Sequence, residues 1–80
     1  MLKEEIYDTM WDSEEHNVEI TTKTGNTITG YVDLFESRDD NSDDDVNPGK
    51  ASVSILGKDK KTEWGCVVYE DDIQTIRITD

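Results

Sequence analysis

The chain carries one cysteine, one proline and one histidine, and its eight lysines and arginines face twenty aspartates and glutamates. Each scarcity removes a class of protein. A single thiol, Cys66, has no partner for an internal disulfide, so a cysteine-stapled secreted scaffold is excluded and a reducing setting is expected. No apolar run approaches the roughly 20 residues of a spanning helix, so no membrane association is expected. Met1–Glu5 lacks the charged-then-apolar pattern of an export signal, and the expected location is cytoplasmic. A formal charge of −12 opposes non-specific attraction to phosphates or anionic lipids and suits a basic protein partner.

Catalytic chemistry also lacks its parts. His16, the only histidine, lies in a polar stretch, and Cys66 stands beside Val67 and Val68 with no neighbouring cation to lower its pKa. Cys66 therefore reads as a buried structural thiol. Carboxylates abound, but no spacing gathers two of them with an oxyanion donor. The expectation is a protein without catalytic residues, without a cofactor and without a resident metal.

What is present is a patterned, folded chain. Eighty residues make one domain, 1–80, with 32% hydrophobic and 35% charged content. A chain of this size buries only about 60% of the surface its unfolded form exposes. Its core must be thin, and assembly with copies of itself would help it. Residues 2–11 place Leu2, Ile6 and Met10 on one helical stripe, with Tyr7 and Trp11 beside it and Glu4 and Glu5 near the positive end of the dipole. Three turns of helix do not persist alone in water, so this stripe must lie on an apolar surface.

After a polar connector at 12–16, the period changes to two. Val18, Ile20 and Thr22 alternate with Glu19, Thr21 and Lys23, and Gly25 offers the positive φ of a turn. Ile28, Gly30, Val32 and Leu34 resume the alternation, while Phe35 falls out of phase and predicts a bend or bulge. Residues 36–50 break the pattern: six of the ten residues from Glu36 to Asp45 are acidic, and Pro48-Gly49 closes the stretch. A third strand is expected at 51–57 with Ala51, Val53 and Ile55 inward, then a lysine-rich turn at 57–61. A fourth is expected at 62–70 with Trp64, Cys66 and Val68 on one face, then a tight corner at Asp71-Asp72. A fifth follows at 73–79 with Ile76 and Ile78 in phase. The fold class this predicts is mainly β: an N-terminal α-helix followed by a five-stranded, strongly bent antiparallel barrel.

The stretch Val18-x-Ile20-x-Thr22-Lys23-Thr24-Gly25-x-x-Ile28-x-Gly30-x-Val32-x-x-Phe35-Glu36 resembles the first motif of the Sm-like small β-barrels, which are SH3-like in form. Val68-Tyr69-x-x-x-Ile73-x-Thr75-Ile76 is similar to the second motif in its bacterial, host-factor form, and the N-terminal helix falls where such proteins carry one. The resemblance implies that Gly30 lets the second strand curl into both halves of the barrel, and that the helix stripe closes one end. It also implies rings, because family members pair their fourth and fifth strands between subunits. Trp64, Cys66, Val68, Ile76 and Ile78 would then form the interface of a homo-oligomer.

The positions that read RNA in that family have changed here. The aromatic–acidic pair Phe35-Glu36 leads to Arg38 and Asp40, where a base-stacking residue and an asparagine are expected. The basic pair of the second motif is replaced by Tyr69-Glu70 or Glu70-Asp71, followed by Asp72. Phe35, Glu36, Arg38, Asp40, Tyr69, Glu70 and Asp71 are thus the candidate binding residues. Carboxylates at those places repel phosphate, so inherited RNA binding is not expected, and Arg38 reads as an ion-pair partner among its acidic neighbours. Residual nucleic-acid binding would rest on Lys58, Lys60 and Lys61. Asp39-x-Asn41-x-Asp43-x-Asp45 has the alternating oxygens of a calcium loop, but Asp44 stands where glycine is needed and Lys50 where glutamate is needed; a solvated acidic loop is the expectation. The leading functional expectation is a binding or assembly module. The alternatives are an RNA binder of altered specificity and an acidic mimic of nucleic acid.

Overall fold

The structure is a computed structural model and describes residues 1–56 and 66–80. Helix α1 spans Lys3–Asp12, where Ile6 and Met10 share a face and are both buried. Leu2, expected at the head of that stripe, is 72% exposed. It is the capping residue: its backbone is extended, its N–H donates to Glu5 Oε1 at 2.8 Å, and its side chain leaves the helical repeat. The helix stops at Ser13, whose N–H and hydroxyl both donate to the Met10 carbonyl. Glu15 then adopts a left-handed φ of 67°. The Glu15 N–H donates to Val32 O and the Val32 N–H to His16 O, which stitches the connector onto the sheet.

Five strands follow: β1 (Asn17–Thr22), β2 (Thr27–Glu36), β3 (Ser52–Leu56), β4 (Cys66–Tyr69) and β5 (Ile73–Ile78). A one-turn 3-10 helix, Glu70–Asp72, makes the corner before β5. All pairings are antiparallel, in the order β4-β3-β2-β1-β5. The fold is therefore mainly β, one N-terminal helix on a five-stranded antiparallel sheet, as the period-two pattern predicts.

β2 carries the bend. Its residues from Thr27 to Tyr31 pair with β1, and those from Tyr31 to Glu36 pair with β3, so among the described pairings Tyr31 alone is paired on both sides. Gly30 sits at the change of partner. A Cβ there would overlap the Leu56 carbonyl oxygen and lie 2.6 Å from Ile55 Cγ2, so only glycine lets the strands approach so closely. The register then shifts between Val32 and Leu34, leaving Asp33 unpaired in the ladder. This bulge reverses the faces that follow: Leu34, expected inward, is 45% exposed, and Phe35 turns in and packs on the core.

The core draws on the helix α1 and all five strands. Val18, Ile20, Val32, Ala51, Val53, Ile55, Val68, Ile73 and Ile76 meet under the helix residues Ile6 and Met10, with Ile78 and Phe35 at the margin. α1 lies against β5 and the 3-10 turn. Cys66 is a correction. It shares the pleat side of Val68, but it begins β4 and faces an open groove of about 340 Å³ with Thr22 and Ile28, so the thiol is exposed. Trp64 and the lysine turn lie outside the described residues. Among the described residues, no helix is long and apolar enough to cross a membrane.

Candidate functional site

Arg38, Glu70 and Asp71, far apart in sequence, converge where the 3-10 turn meets α1 and the start of β3. The Glu70 side chain is 1% exposed. Such a carboxylate must be paired and hydrogen-bonded to remain charged in the interior. It is: Arg38 Nε donates to both of its oxygens at 3.1–3.2 Å, Arg38 Nη2 donates to Oε1 at 3.1 Å, and the Ala51 N–H donates to Oε2 at 2.8 Å. Lys3 Nζ stands 3.9 Å away. The fork of Arg38 is matched to this task, since its planar donors satisfy a carboxylate in two directions.

The same arginine reaches Glu4 on α1 at 3.4 Å and lays its guanidinium 4.0 Å over the Tyr7 ring. Hydrogen bonding to Glu70, opposed by a smaller desolvation effect, holds the Arg38 pKa above its ordinary value. Asp71 is exposed but bridged by Lys50 at 3.2 Å and Lys3 at 3.6 Å. Its partial desolvation pushes its pKa up, but the two ammonium groups together outweigh that and leave it below the usual carboxylate range. Lys50 is correspondingly raised by its bond to Asp71. Arg38, Lys3 and Lys50 are three of the chain's eight basic side chains, and all three are spent on internal contacts.

The acidic stretch is built rather than loose. Asn41, buried, donates from its side chain to the Lys50 carbonyl at 2.7 Å and to Ser52 Oγ at 3.1 Å, while its own carbonyl accepts the Gly49 N–H. Asp40 caps a local turn by accepting the Ser37 N–H at 3.0 Å. Asp44 accepts the N–H groups of Asn47 and Val46 and the Tyr69 hydroxyl. Those backbone donors hold Asp44 below the usual carboxylate range, and the Asp44 acceptor raises the Tyr69 phenol. Among the described residues, no three His, Cys, Asp or Glu side chains gather as a metal-ligand set.

The seven candidate positions therefore separate into five places. Arg38, Glu70 and Asp71 form the ion network; Tyr69 pairs with Asp44; Asp40 serves its own turn. Phe35 joins Tyr7 and Trp11 in an aromatic group, with ring centroids 5.2–6.2 Å apart. Glu36 ends β2 opposite Ser52. The reading of Arg38 as an ion-pair partner holds, although its partner is Glu70, 32 residues away, rather than its acidic neighbours. The sequence pointed to no such role for Lys3, Lys50 or Asn41, the last two having figured only as positions of a calcium-loop pattern. Only Asn41 carried a local signal, an amide that can both donate and accept within a run of acceptors.

Compared with known proteins, the chain matches no family model, no curated protein and no solved structure. The site must be read on its own chemistry.

Proposed function

We propose that this chain is a non-catalytic, Sm-like binding and assembly module whose copies associate through the two free edges of the sheet. The observation that carries the proposal is the strand order: among the described residues, β4 and β5 each have a single neighbour, so each leaves one side of its backbone without a strand. On β5, the outward Ile76 N–H meets only a thioether, Met1 Sδ at 3.4 Å, which is a weak acceptor. On β4, Val67 is 52% exposed and stands beside the exposed Cys66. β4 of one copy against β5 of the next is a head-to-tail contact that closes into a ring when the rotation allows.

The internal use of Arg38 and Glu70 supports a module that does not read RNA at the inherited positions. Glu70 is already filled by Arg38 and the Ala51 N–H, and Arg38 is committed to Glu70, Glu4 and the Tyr7 ring. Charge on the peripheral loops is screened over about 8 Å at physiological salt, which permits association despite the charge of each copy. Native mass spectrometry and light scattering at tens of micromolar protein test the proposal. The expected result is one closed oligomer that dissociates in the edge variant Val67→Lys. A monomer at every concentration would remove it.

A further inference from the structure

We propose that the Tyr7–Trp11–Phe35 face is a docking surface for an arginine-bearing segment of a basic protein. Trp11 is 58% exposed although it stands in contact with two other rings. Contiguous apolar surface rimmed by polar residues marks interaction sites, and tryptophan is among the residues most enriched where binding energy concentrates. The three rings are also ordered among themselves: Tyr7 meets Trp11 edge-on at 83°, and Phe35 tilts under Trp11 at 5.2 Å between centroids. Such a platform presents a π face without first having to be assembled.

Charge settles which partner fits. One guanidinium already stacks on this group, Arg38 over Tyr7 at 4.0 Å, with Glu4 as its carboxylate at 3.4 Å. The Trp11 end has the same ingredients, and among the described residues no cation stacks on its ring. Asp8 is exposed one turn before Trp11 on the same helix, and the Glu14 carboxylate accepts the Phe35 N–H at 2.8 Å, which places negative charge at the backbone of Phe35, the ring that neighbours Trp11. An incoming guanidinium would lie over the Trp11 face and reach these carboxylates with its in-plane donors, repeating the Arg38–Tyr7–Glu4 arrangement. A net charge of −12 attracts such a segment from a distance and repels an oligonucleotide. Lysine, a compact and strongly hydrated charge, stacks less well than arginine.

The test uses the full chain carrying Trp64→Phe, so that Trp11 is the sole tryptophan fluorophore, with a glycine–arginine repeat peptide of four arginines as probe. A saturable change in Trp11 emission is expected, at least about threefold tighter than with the lysine counterpart and weaker as salt rises. By calorimetry, Trp11→Ala should lose about tenfold in affinity while Trp11→Phe retains most of it. The double change Asp8→Asn and Glu14→Gln should weaken binding, whereas Asp39→Asn with Asp43→Asn in the acidic stretch should leave the arginine preference intact. Equal affinity of Trp11→Ala and wild type, with unchanged thermal melts, would overturn the proposal. So would equal binding of the arginine and lysine peptides, or a stronger response of Trp11 to oligothymidylate. None of these readouts depends on whether the chain forms a ring.

Discussion

Removal of Arg38 would leave the Glu70 carboxylate, 1% exposed, with the Ala51 N–H at 2.8 Å and the Lys3 ammonium at 3.9 Å as its remaining partners. Breaking a buried pair from one side typically costs about 3–5 kcal/mol, because the surviving charge keeps its desolvation penalty. Here the Arg38 side chain is itself 32% exposed, so water can enter the vacated space and reduce the loss. For Arg38→Ala we expect about 2–3 kcal/mol. An eighty-residue domain has a total of roughly 4–12 kcal/mol, so this is a large share, equivalent to a fall in Tm of roughly 10–20 °C. Urea unfolding followed by far-UV circular dichroism measures it. Arg38→Lys keeps the charge and loses the fork, and should recover about half the deficit. Glu70→Gln keeps an acceptor for the Ala51 N–H and leaves Arg38 with Glu4 and solvent, so it should cost less than Arg38→Ala. A coupling energy of at least about 1 kcal/mol is expected from the double-mutant cycle. If Arg38→Ala lies within about 0.5 kcal/mol of wild type, the pair behaves as a surface contact and the reasoning fails.

Two further perturbations probe other parts of the fold. Gly30→Ala forces a methyl against the Leu56 backbone, and should destabilise by about 2–3 kcal/mol, at the high end for overpacking, because a carbonyl cannot rotate away as a side chain can; a melt unchanged from wild type would show that β2 and β3 can separate there. Asp80 accepts the Asn17 backbone and side-chain N–H groups and pairs with His16, and the Asn17 backbone donor is the main reason its carboxyl sits below the usual range. A depressed carboxyl contributes stability above its unfolded pKa of about 3.9 and loses that contribution as pH falls through the folded value. The difference in Tm between wild type and Asp80→Asn should therefore be full above the unfolded carboxyl value of about 3.9 and close as pH falls below it; a difference that widens below that value would contradict the sign.

The strands were legible because burial on one face imposes a period of two, and Val18, Ile20, Val53, Ile55 and Val68 obey it. Gly25 announced its turn through the positive φ that it alone tolerates cheaply. The failures lie where geometry, not period, decides. One unpaired residue at Asp33 exchanged the faces of Leu34 and Phe35, and the dephased Phe35 pointed to a bend without locating it. Cys66 has the right parity to be buried, but parity does not reveal that the strand's first residue overhangs an open groove. At the ion network, Glu70 looked like one carboxylate in an acidic corner. Its burial depends on Arg38 and Ala51 arriving from other segments, and pattern along the chain carries no record of that.

The network around Glu70 has a bearing on how the chain folds in time. Its bonds close long stretches: Arg38 to Glu70 spans 32 residues, Glu4 to Arg38 spans 34, and Ala51 to Glu70 spans 19. The β1–β2 hairpin needs only its four-residue turn. Contacts of long sequence separation require most of the loop-closure entropy to be lost first, so they belong to the late side of the folding barrier. A latch made late holds the native state against opening more than it hastens arrival. For a small domain with a thin core, this buried pair acts as a brake on unfolding, set in place after the β1–β2 hairpin has formed.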